Sequence, residues 1–187
     1  MTTPRLTTLR LGPDLGTLAL HTGVEGKAAR LGHNLVLELG DWTVEVALED
    51  DTPVSAELRA VVDSLRVESG SGGAKALSDK DRVTIRNNAL GALRAASSPE
   101  IRFTSSAVTP TPGGFGVHGE LSIGGQSRSY DVDVQVSEDG AGWTVTSRAS
   151  VTQTDHDVAP YSAMLGALRL RDRVDVVFDA VVPRPPT

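Results

Sequence analysis

Residues 114–136 read GFGVHGELSIGGQSRSYDVDVQV, and this stretch decides the fold. Apolar residues occupy alternate positions on both sides of the pair Gly124 and Gly125. Period two sends successive side chains to opposite faces of a strand, and two glycines between such runs favour a tight turn. The stretch therefore predicts an antiparallel β-hairpin. Its apolar positions are Val117, Leu121 and Ile123 before the turn and Tyr130, Val132, Val134 and Val136 after it.

The same alternation recurs along most of the 187 residues. Residues 35–39 and 42–48 alternate on either side of Gly40 and Asp41, which predicts a second hairpin. Together with the remaining runs, this pattern predicts about eight or more strands. The remaining runs cover residues 17–22, 58–62, 101–103, 143–149 and 174–180.

Three segments depart from this pattern. Ser78, with Asp81 three residues later, is typical of a helix start, and helical spacing follows, so one amphipathic helix is predicted around residues 79–96. Residues 69–74, SGSGGA, have the composition of a flexible connection leading out of a strand. Residues 161–169, YSAMLGALR, predict a second helix of about two turns. Such a helix could act as a lid over an opening in the fold.

Antiparallel strands joined by short turns form either a sandwich or a closed barrel, and periodicity does not separate the two. A barrel has no unpaired edges, and one of about eight strands is either filled by its side chains or holds one small ligand. The apolar faces here are mostly Val, Leu, Ile and Ala, with three Phe in the whole chain, which favours an open interior. We therefore predict an all-β fold with one or two helices and a cavity.

The composition excludes several classes of function. The chain has no cysteine, which excludes disulfides, thiolate catalysis and cysteine-bound metal and suits the reducing cytoplasm. Eighteen Lys and Arg against twenty-four Asp and Glu give a net charge of −6, which disfavours nucleic acid as a partner. We find no secretory signal and no apolar run of membrane length, so we expect a cytoplasmic protein without integral membrane association.

The sequence carries no signature of catalysis. There is no G-x-S-x-G motif and no visible Ser-His-Asp constellation. His21, His33, His118 and His156 lie too far apart to show metal-ligand spacing. We therefore expect no enzyme activity, no metal and no cofactor. A small β-barrel enzyme would need a buried His or Asp with a shifted pKa, and His33 and His118 are the first candidates.

The order of motifs resembles the YceI-like family. Residues 22–39, TGVEGKAARLGHNLVLEL, place a Gly-His pair before a strand, and residues 97–108, SSPEIRFTSSAV, precede the hairpin quoted above. The Phe-Asp pair that the family often has before its middle proline is replaced by residues 93–98, LRAASS. The resemblance implies one domain over residues 1–187, folded as a lipocalin-like antiparallel barrel of about eight strands. It also implies binding, sequestration or transport of a polyisoprenoid or another long amphiphilic lipid.

The predicted ligand contacts are apolar side chains, because apolar pockets use such residues with few polar groups. Met164 and Leu165 are expected to form a mobile gate, since methionine adapts its shape. His33, at a strand entrance, would bond either a ligand head group or local backbone groups. The other predicted contacts are Trp42, Phe103, Phe115, Val132, Val134 and Tyr161, and for Trp42 and Phe103 core packing is an equal alternative.

The expected partner is thus an apolar or amphiphilic small molecule of isoprenoid or fatty-acyl type. The main alternative is a β domain with a filled core that acts through its surface, as a protein-interaction module or a homodimer. The presence of an internal cavity distinguishes the two alternatives, because only binding of a small molecule inside the fold requires one.

Overall fold

The computed structural model describes residues 5–140 and 142–183. Within these residues, fourteen strands and one α-helix, α1 (Asp79–Ala92), are present. In chain order the strands are β1 (Leu6–Leu11), β2 (Gly16–His21), β3 (Val24–Glu25), β4 (His33–Leu39), β5 (Trp42–Glu49), β6 (Thr52–Val61), β7 (Leu65–Gly72), β8 (Glu100–Thr111), β9 (Gly114–Ile123), β10 (Gln126–Asp139), β11 (Gly142–Thr152), β12 (Ser162–Ala163), β13 (Leu168–Leu170) and β14 (Arg173–Pro183).

Eleven of these strands form one antiparallel sheet, in the order β1-β5-β6-β8-β9-β10-β11-β14-β2-β4-β7. The sheet curls into a half-barrel, and the predicted all-β, lipocalin-like class is confirmed. The prediction of about eight strands was low. β3, β12 and β13 carry too few residues to show alternation, and β1 and β7 lack a sustained alternation of apolar and polar residues.

The hairpin predicted from residues 114–136 is confirmed. β9 and β10 pair antiparallel from Ile123 opposite Gln126 to Gly114 opposite Gln135. Gly124 and Gly125 both have positive φ, 58° and 82°, which is the backbone that a two-residue turn between twisted strands requires.

The hairpin predicted around Gly40 and Asp41 is wrong. Both strands exist, but β4 pairs with β2 and β7, whereas β5 pairs with β1 and β6. The Gly40 amide donates to the Ser64 carbonyl, and the Val61 amide donates to the Asp41 carbonyl. This turn therefore carries the chain from one flank of the curled sheet (β2, β4 and β7) to the other (β1, β5 and β6). A local alternation pattern cannot distinguish such a turn from a hairpin.

Two further connections cross between the flanks at the same place. The turn at residues 12–15 joins β1 to β2, and the 3-10 turn Val62–Ser64 joins β6 to β7. Trp42, Val62 and Leu65 are the largest fully buried side chains, and Trp42 packs edge-on against Phe178 with ring centroids 5.4 Å apart. The tightly packed part of the core thus lies where the two flanks of the sheet meet.

Helix α1 packs along the free edge of β7. The Arg82 guanidinium donates to the carbonyls of Val67 and Glu68, at 2.7 and 3.0 Å, and Arg86 Nε donates to the Leu65 carbonyl at 2.9 Å. Because an unpaired strand edge exposes a row of backbone acceptors, these two arginines occupy positions that another strand would otherwise take. Ile85, Ala89 and Leu90 on the same helix pack against the core.

The helix starts as predicted and ends earlier. Ser78 and Asp81 form the capping box, with side-chain to backbone hydrogen bonds in both directions. The predicted end at residue 96 was wrong, because Arg94 adopts a left-handed φ of 55°. The amides of Arg94 and Ala95 then donate to the carbonyls of Gly91 and Leu90, which closes the helix at its C-terminus.

Two other predictions of local structure were wrong. Residues 69–74 do not form a connection throughout, since β7 continues to Gly72 in register with β4. The short helix predicted within residues 161–169 is replaced by β12, a 3-10 turn at Met164–Gly166 and β13. β13 pairs with both β12 and β3, and pairing with the distant β3 outweighs the local helix propensity of alanine and leucine.

Candidate functional site

A cavity of about 1710 Å³ occupies the hollow of the curled sheet. Leucine, valine and isoleucine side chains from the long strands form most of its wall, and one face of α1 closes the gap beside β7. Strands contribute because their inward positions alternate with outward ones, so each long strand presents a row of apolar side chains to the interior.

Several inward side chains are only partly buried, although they lie on interior strands of the sheet. In a filled barrel these positions would be fully buried, because neighbouring side chains would occupy the interior. Their remaining exposed surface faces the cavity instead. Partly buried residues of this kind are Leu20, Val44, Leu58, Val132, Val134 and Val176.

The structure brings six of the predicted ligand contacts to the cavity wall. Val132 and Val134 project from β10, and Phe115 lies opposite Val134 on β9. Phe103 also lines the cavity but is 7% exposed, so it contributes to the core as well. The six are His33, Phe103, Phe115, Val132, Val134 and Tyr161.

Trp42, Met164 and Leu165 lie away from the wall of this cavity. Trp42 is 2% exposed within the core. Of the two roles predicted for it, ligand contact and core packing, its position agrees with core packing. Met164 and Leu165 lie on the outer surface, where 57% of Met164 is exposed and Leu165 has no burial at all. A gate residue would need to contact the opening from inside, so these two side chains do not close the cavity in this conformation.

His33 is bound to local backbone, although it also borders the cavity. Its Nε2 lies 2.8 Å from the carbonyl oxygen of Lys75, and since a carbonyl only accepts, the imidazole donates. Gly73 lies so close to the imidazole that a Cβ at that position would collide with the ring. Of the two roles predicted for His33, the structure contains the bond to backbone.

Three polar side chains that line the barrel are also bound to backbone. Ser147 Oγ donates to the Asp133 carbonyl at 2.8 Å, Tyr130 Oη donates to the Ser150 carbonyl at 2.7 Å, and His156 Nδ1 lies 3.0 Å from the Gln126 carbonyl. Burial raises the pKa of Tyr130, so its hydroxyl remains neutral. Across residues 5–140 and 142–183, no buried side-chain nitrogen or oxygen is left without a partner. The wall is therefore apolar and offers few free polar groups.

Sequence reasoning missed these polar interior residues. The signal for Tyr130 was available, because it occupies an inward position in the β10 alternation. Ser147 likewise occupies an inward position in the predicted alternation of residues 143–149, whereas His156 lies in a 3-10 turn and carries no such signal.

One Ser-His-Asp constellation exists on the outer face of the sheet. His118 Nδ1 lies 2.7 Å from Asp131 Oδ1, and Ser129 Oγ lies 3.4 Å from His118 Nε2. The sequence did not reveal it, because cross-strand pairing of β9 and β10 brings the three residues together. The Asp131 carboxyl is 85% exposed, and both strands are interior, so their amides bond to neighbouring strands and supply no oxyanion site. The constellation therefore lacks the parts of an acyl-transfer site.

No group of three or more potential metal ligands occurs among the described residues. In the same part of the chain, no helix has both the length and the apolar character needed to cross a membrane.

Comparison with known proteins identifies the fold family. The sequence matches the YceI-like domain over residues 19–182. BcnA of Burkholderia cenocepacia superposes with a TM-score of 0.67 at 19% identity, covering 89% of this chain and 96% of that one. The YCEI protein of Campylobacter jejuni superposes with a TM-score of 0.59 at 11% identity, covering 83% of this chain and 86% of the other. No curated protein matches the sequence.

Proposed function

This chain belongs to the YceI-like family, and we propose that it binds and carries a long apolar or amphiphilic molecule, of isoprenoid or fatty-acyl type, inside its barrel. The observation that carries the proposal is the apolar cavity of about 1710 Å³. Pockets for drug-sized ligands measure about 300–1,000 Å³, so this cavity suits a longer molecule.

Hydrophobic burial supplies the driving force for such binding. Each buried CH₂ group contributes about 0.8 kcal/mol, so twenty buried carbons contribute on the order of 16 kcal/mol. Association itself costs roughly 4–15 kcal/mol, so a long chain binds without polar recognition and a short chain does not. Because Tyr130, Ser147 and His156 are already bonded to backbone, the wall selects for length and apolarity rather than for a head group.

The two alternatives have less support. A filled core does not agree with the partly buried inward valines, such as Val132 and Val134. An enzyme would need a reactive group in the cavity, but His33 and His156 are bonded to backbone carbonyls and His118 lies outside the barrel. We therefore propose a carrier that is not an enzyme, and its lack of cysteine suits the cytoplasm.

Native mass spectrometry of freshly purified protein, followed by organic extraction, tests this proposal. We expect a stoichiometric apolar adduct whose extracted mass identifies the ligand class. If only the mass of the unliganded chain is found, and added C15–C40 isoprenoids or fatty acids do not bind, the carrier proposal is wrong.

A pair of variants tests whether the ligand lies in this cavity. Val132→Trp combined with Val134→Trp places two indoles on the inner face of β10 and should reduce the adduct at least tenfold. Val181→Trp is the matched control, because Val181 lies on β14 and is 53% exposed outside the cavity wall. Circular dichroism verifies that both proteins are folded. Retention of the adduct by the folded double variant would place the ligand elsewhere.

A further inference from the structure

A small structure beside the barrel, which we call the flap, consists of residues 23–31 and 161–171. Its three-stranded sheet has the order β12-β13-β3, and the Ala28 amide donates to the Ala167 carbonyl at 2.8 Å. The Arg171 amide donates to the Gly23 carbonyl at 2.8 Å, which joins the two segments at their other end. The two segments therefore form one surface although they are distant in sequence.

The flap concentrates exposed apolar side chains. Half of the eight large hydrophobic residues that the described chain exposes belong to it. Single exposed hydrophobic residues need no explanation, but a cluster of them marks an interaction site. The four are Leu31 at 43%, Tyr161 at 49%, Met164 at 57% and Leu165 at 110% exposure.

The tip of the flap holds two of these residues in an unfavourable backbone conformation. Met164 and Leu165 have φ of 53° and 54°, in the left-handed region that bulky residues rarely adopt. A Cβ added at the next residue, Gly166, would meet no atom within 4 Å, so the tip projects into open space. Leu165 gains no burial from this arrangement, and strain of this kind is typical of functional segments.

The charge of the flap is opposite to that of the whole chain. It carries four cations, Lys27, Arg30, Arg169 and Arg171, and one carboxylate, Glu25. Arg169 pairs with Glu25 at 3.0 Å, and the structure gives Lys27 and Arg30 no ion pair with any described residue. Since charges beyond about 8–10 Å are screened at physiological salt, a partner surface meets this local excess of positive charge rather than the net charge of −6.

The cavity extends to the flap. Leu31 and Tyr161 both line the cavity, and both have about half of their surface exposed. A molecule leaving the cavity between them would emerge beside the exposed apolar tip.

We propose that the flap docks on an anionic lipid bilayer, with Met164 and Leu165 entering the headgroup region and the cations facing lipid phosphates. The proposal rests on the carrier function, because a water-insoluble ligand is dissolved in membranes. Apolar side chains at an interface with basic residues beside them are the pattern of peripheral membrane binding. The structure favours a bilayer over a protein partner, because the tip projects outward rather than forming a groove.

Sedimentation with vesicles tests the docking surface. One set of vesicles is pure phosphatidylcholine, and the other contains phosphatidylglycerol at one lipid in three. We expect binding to the second set, weakened by salt. Leu165→Asp should lower the partition coefficient about tenfold or more, from the lost transfer of one leucine. The matched control is Leu6→Asp, which changes a leucine that is 72% exposed on β1 and should leave partitioning unchanged.

Charge reversal tests the basic residues separately. The double variant Lys27→Glu, Arg30→Glu should lower the partition coefficient to anionic vesicles more than about 25-fold, because each lost cation accounts for about fivefold. Arg128→Glu, an exposed position on β10, is the control. Equal binding to both vesicle sets, or equal loss in Leu6→Asp and Leu165→Asp, would overturn the proposal. The proposal would also be overturned if the protein did not bind vesicles but formed a dimer that Leu165→Asp dissociates, since the surface would then join two copies.

The ligand adduct is measured in parallel on the same proteins. Leu165 does not line the cavity, so Leu165→Asp should retain the adduct while losing vesicle binding. If the wild-type protein carries the adduct but does not bind vesicles, docking alone is refuted. If it carries no adduct and does not bind added isoprenoids or fatty acids, the carrier function is refuted.

Discussion

Gly119 on β9 shows how a single residue allows two strands to approach. A Cβ at this position would collide with the Thr104 carbonyl and lie 2.8 Å from Phe103 Cζ and from Ser105 Cα. Phe103 thus covers the glycine from the neighbouring strand β8. The ring is one of the predicted ligand contacts, so this close approach also shapes the wall of the cavity.

Gly119→Ala should therefore destabilise the protein by about 1–3 kcal/mol, because two of the three colliding atoms are backbone and cannot rotate away. Gly91→Ala is the matched control. Gly91 lies in α1 with no atom within 4 Å of an added Cβ, so alanine should raise stability by about 0.5–1 kcal/mol. Urea unfolding measures both variants. Equal midpoints for Gly119→Ala and the wild type would contradict the assigned contact.

At the scale of elements, α1 completes the barrel wall that the sheet leaves open. Arg82 and Arg86 are one helical turn apart and therefore reach the same row of β7 carbonyls. The start of the helix depends on Ser78 and Asp81, whose capping box supplies partners for amides that the helix itself cannot bond.

The capping box makes the helix start sensitive to acid. Hydrogen bonds from the Ser78 hydroxyl and amide lower the pKa of Asp81 below its ordinary value. A carboxyl with a lowered pKa in the folded state stabilises that state above its unfolded pKa, and the contribution is lost as the pH falls through the folded pKa. The loss therefore begins below about pH 4, the ordinary value for aspartate.

Asp81→Asn should flatten the decline of stability on acidification below about pH 4. Asp79→Asn is the control, since it removes a carboxylate from the same first turn but leaves the capping box. Urea midpoints collected from pH 7 to pH 2 report the difference. A decline equally steep in Asp81→Asn and in wild type would show that this carboxylate does not contribute.

At the scale of the whole molecule, an unfilled barrel connects ligand binding to stability. A cavity of about 1710 Å³ deprives the inward side chains of packing partners, and a bound apolar chain would supply them. A ligand that binds only the folded state adds about 2.7 kcal/mol at a hundred times its dissociation constant.

Protein stripped of its adduct should therefore melt about 5–10 °C lower than the loaded protein, given about 2–4 °C per kcal/mol for a chain of this size. Adding the extracted ligand should restore the original Tm. The Val132→Trp, Val134→Trp protein should show no such shift. Differential scanning calorimetry measures each form, and identical melting of stripped and loaded wild type would show that the ligand does not occupy the core.

Much of the local structure could be predicted because its causes are local. Alternation along β9 and β10, the two glycines between them and the capping box at Ser78 all act within a few residues. The family resemblance added the class of the fold, which periodicity alone left open between a sandwich and a barrel. The cavity residues Phe115, Val132 and Val134 follow from the same alternation once the inner face is known.

The sequence by itself thus determined most of the long strands, where the main helix begins and which side chains of β9 and β10 face inward. Only the tertiary structure decided that β4 and β5 lie on opposite flanks, that the side chains leave a large cavity inside the sheet, and that Met164 and Leu165 lie on the outer surface. The physical reason is the distance along the sequence over which each kind of interaction acts. Backbone preference and alternation act between neighbours in sequence, whereas strand partners, the size of a void and the exposure of a tip depend on residues far apart in the chain.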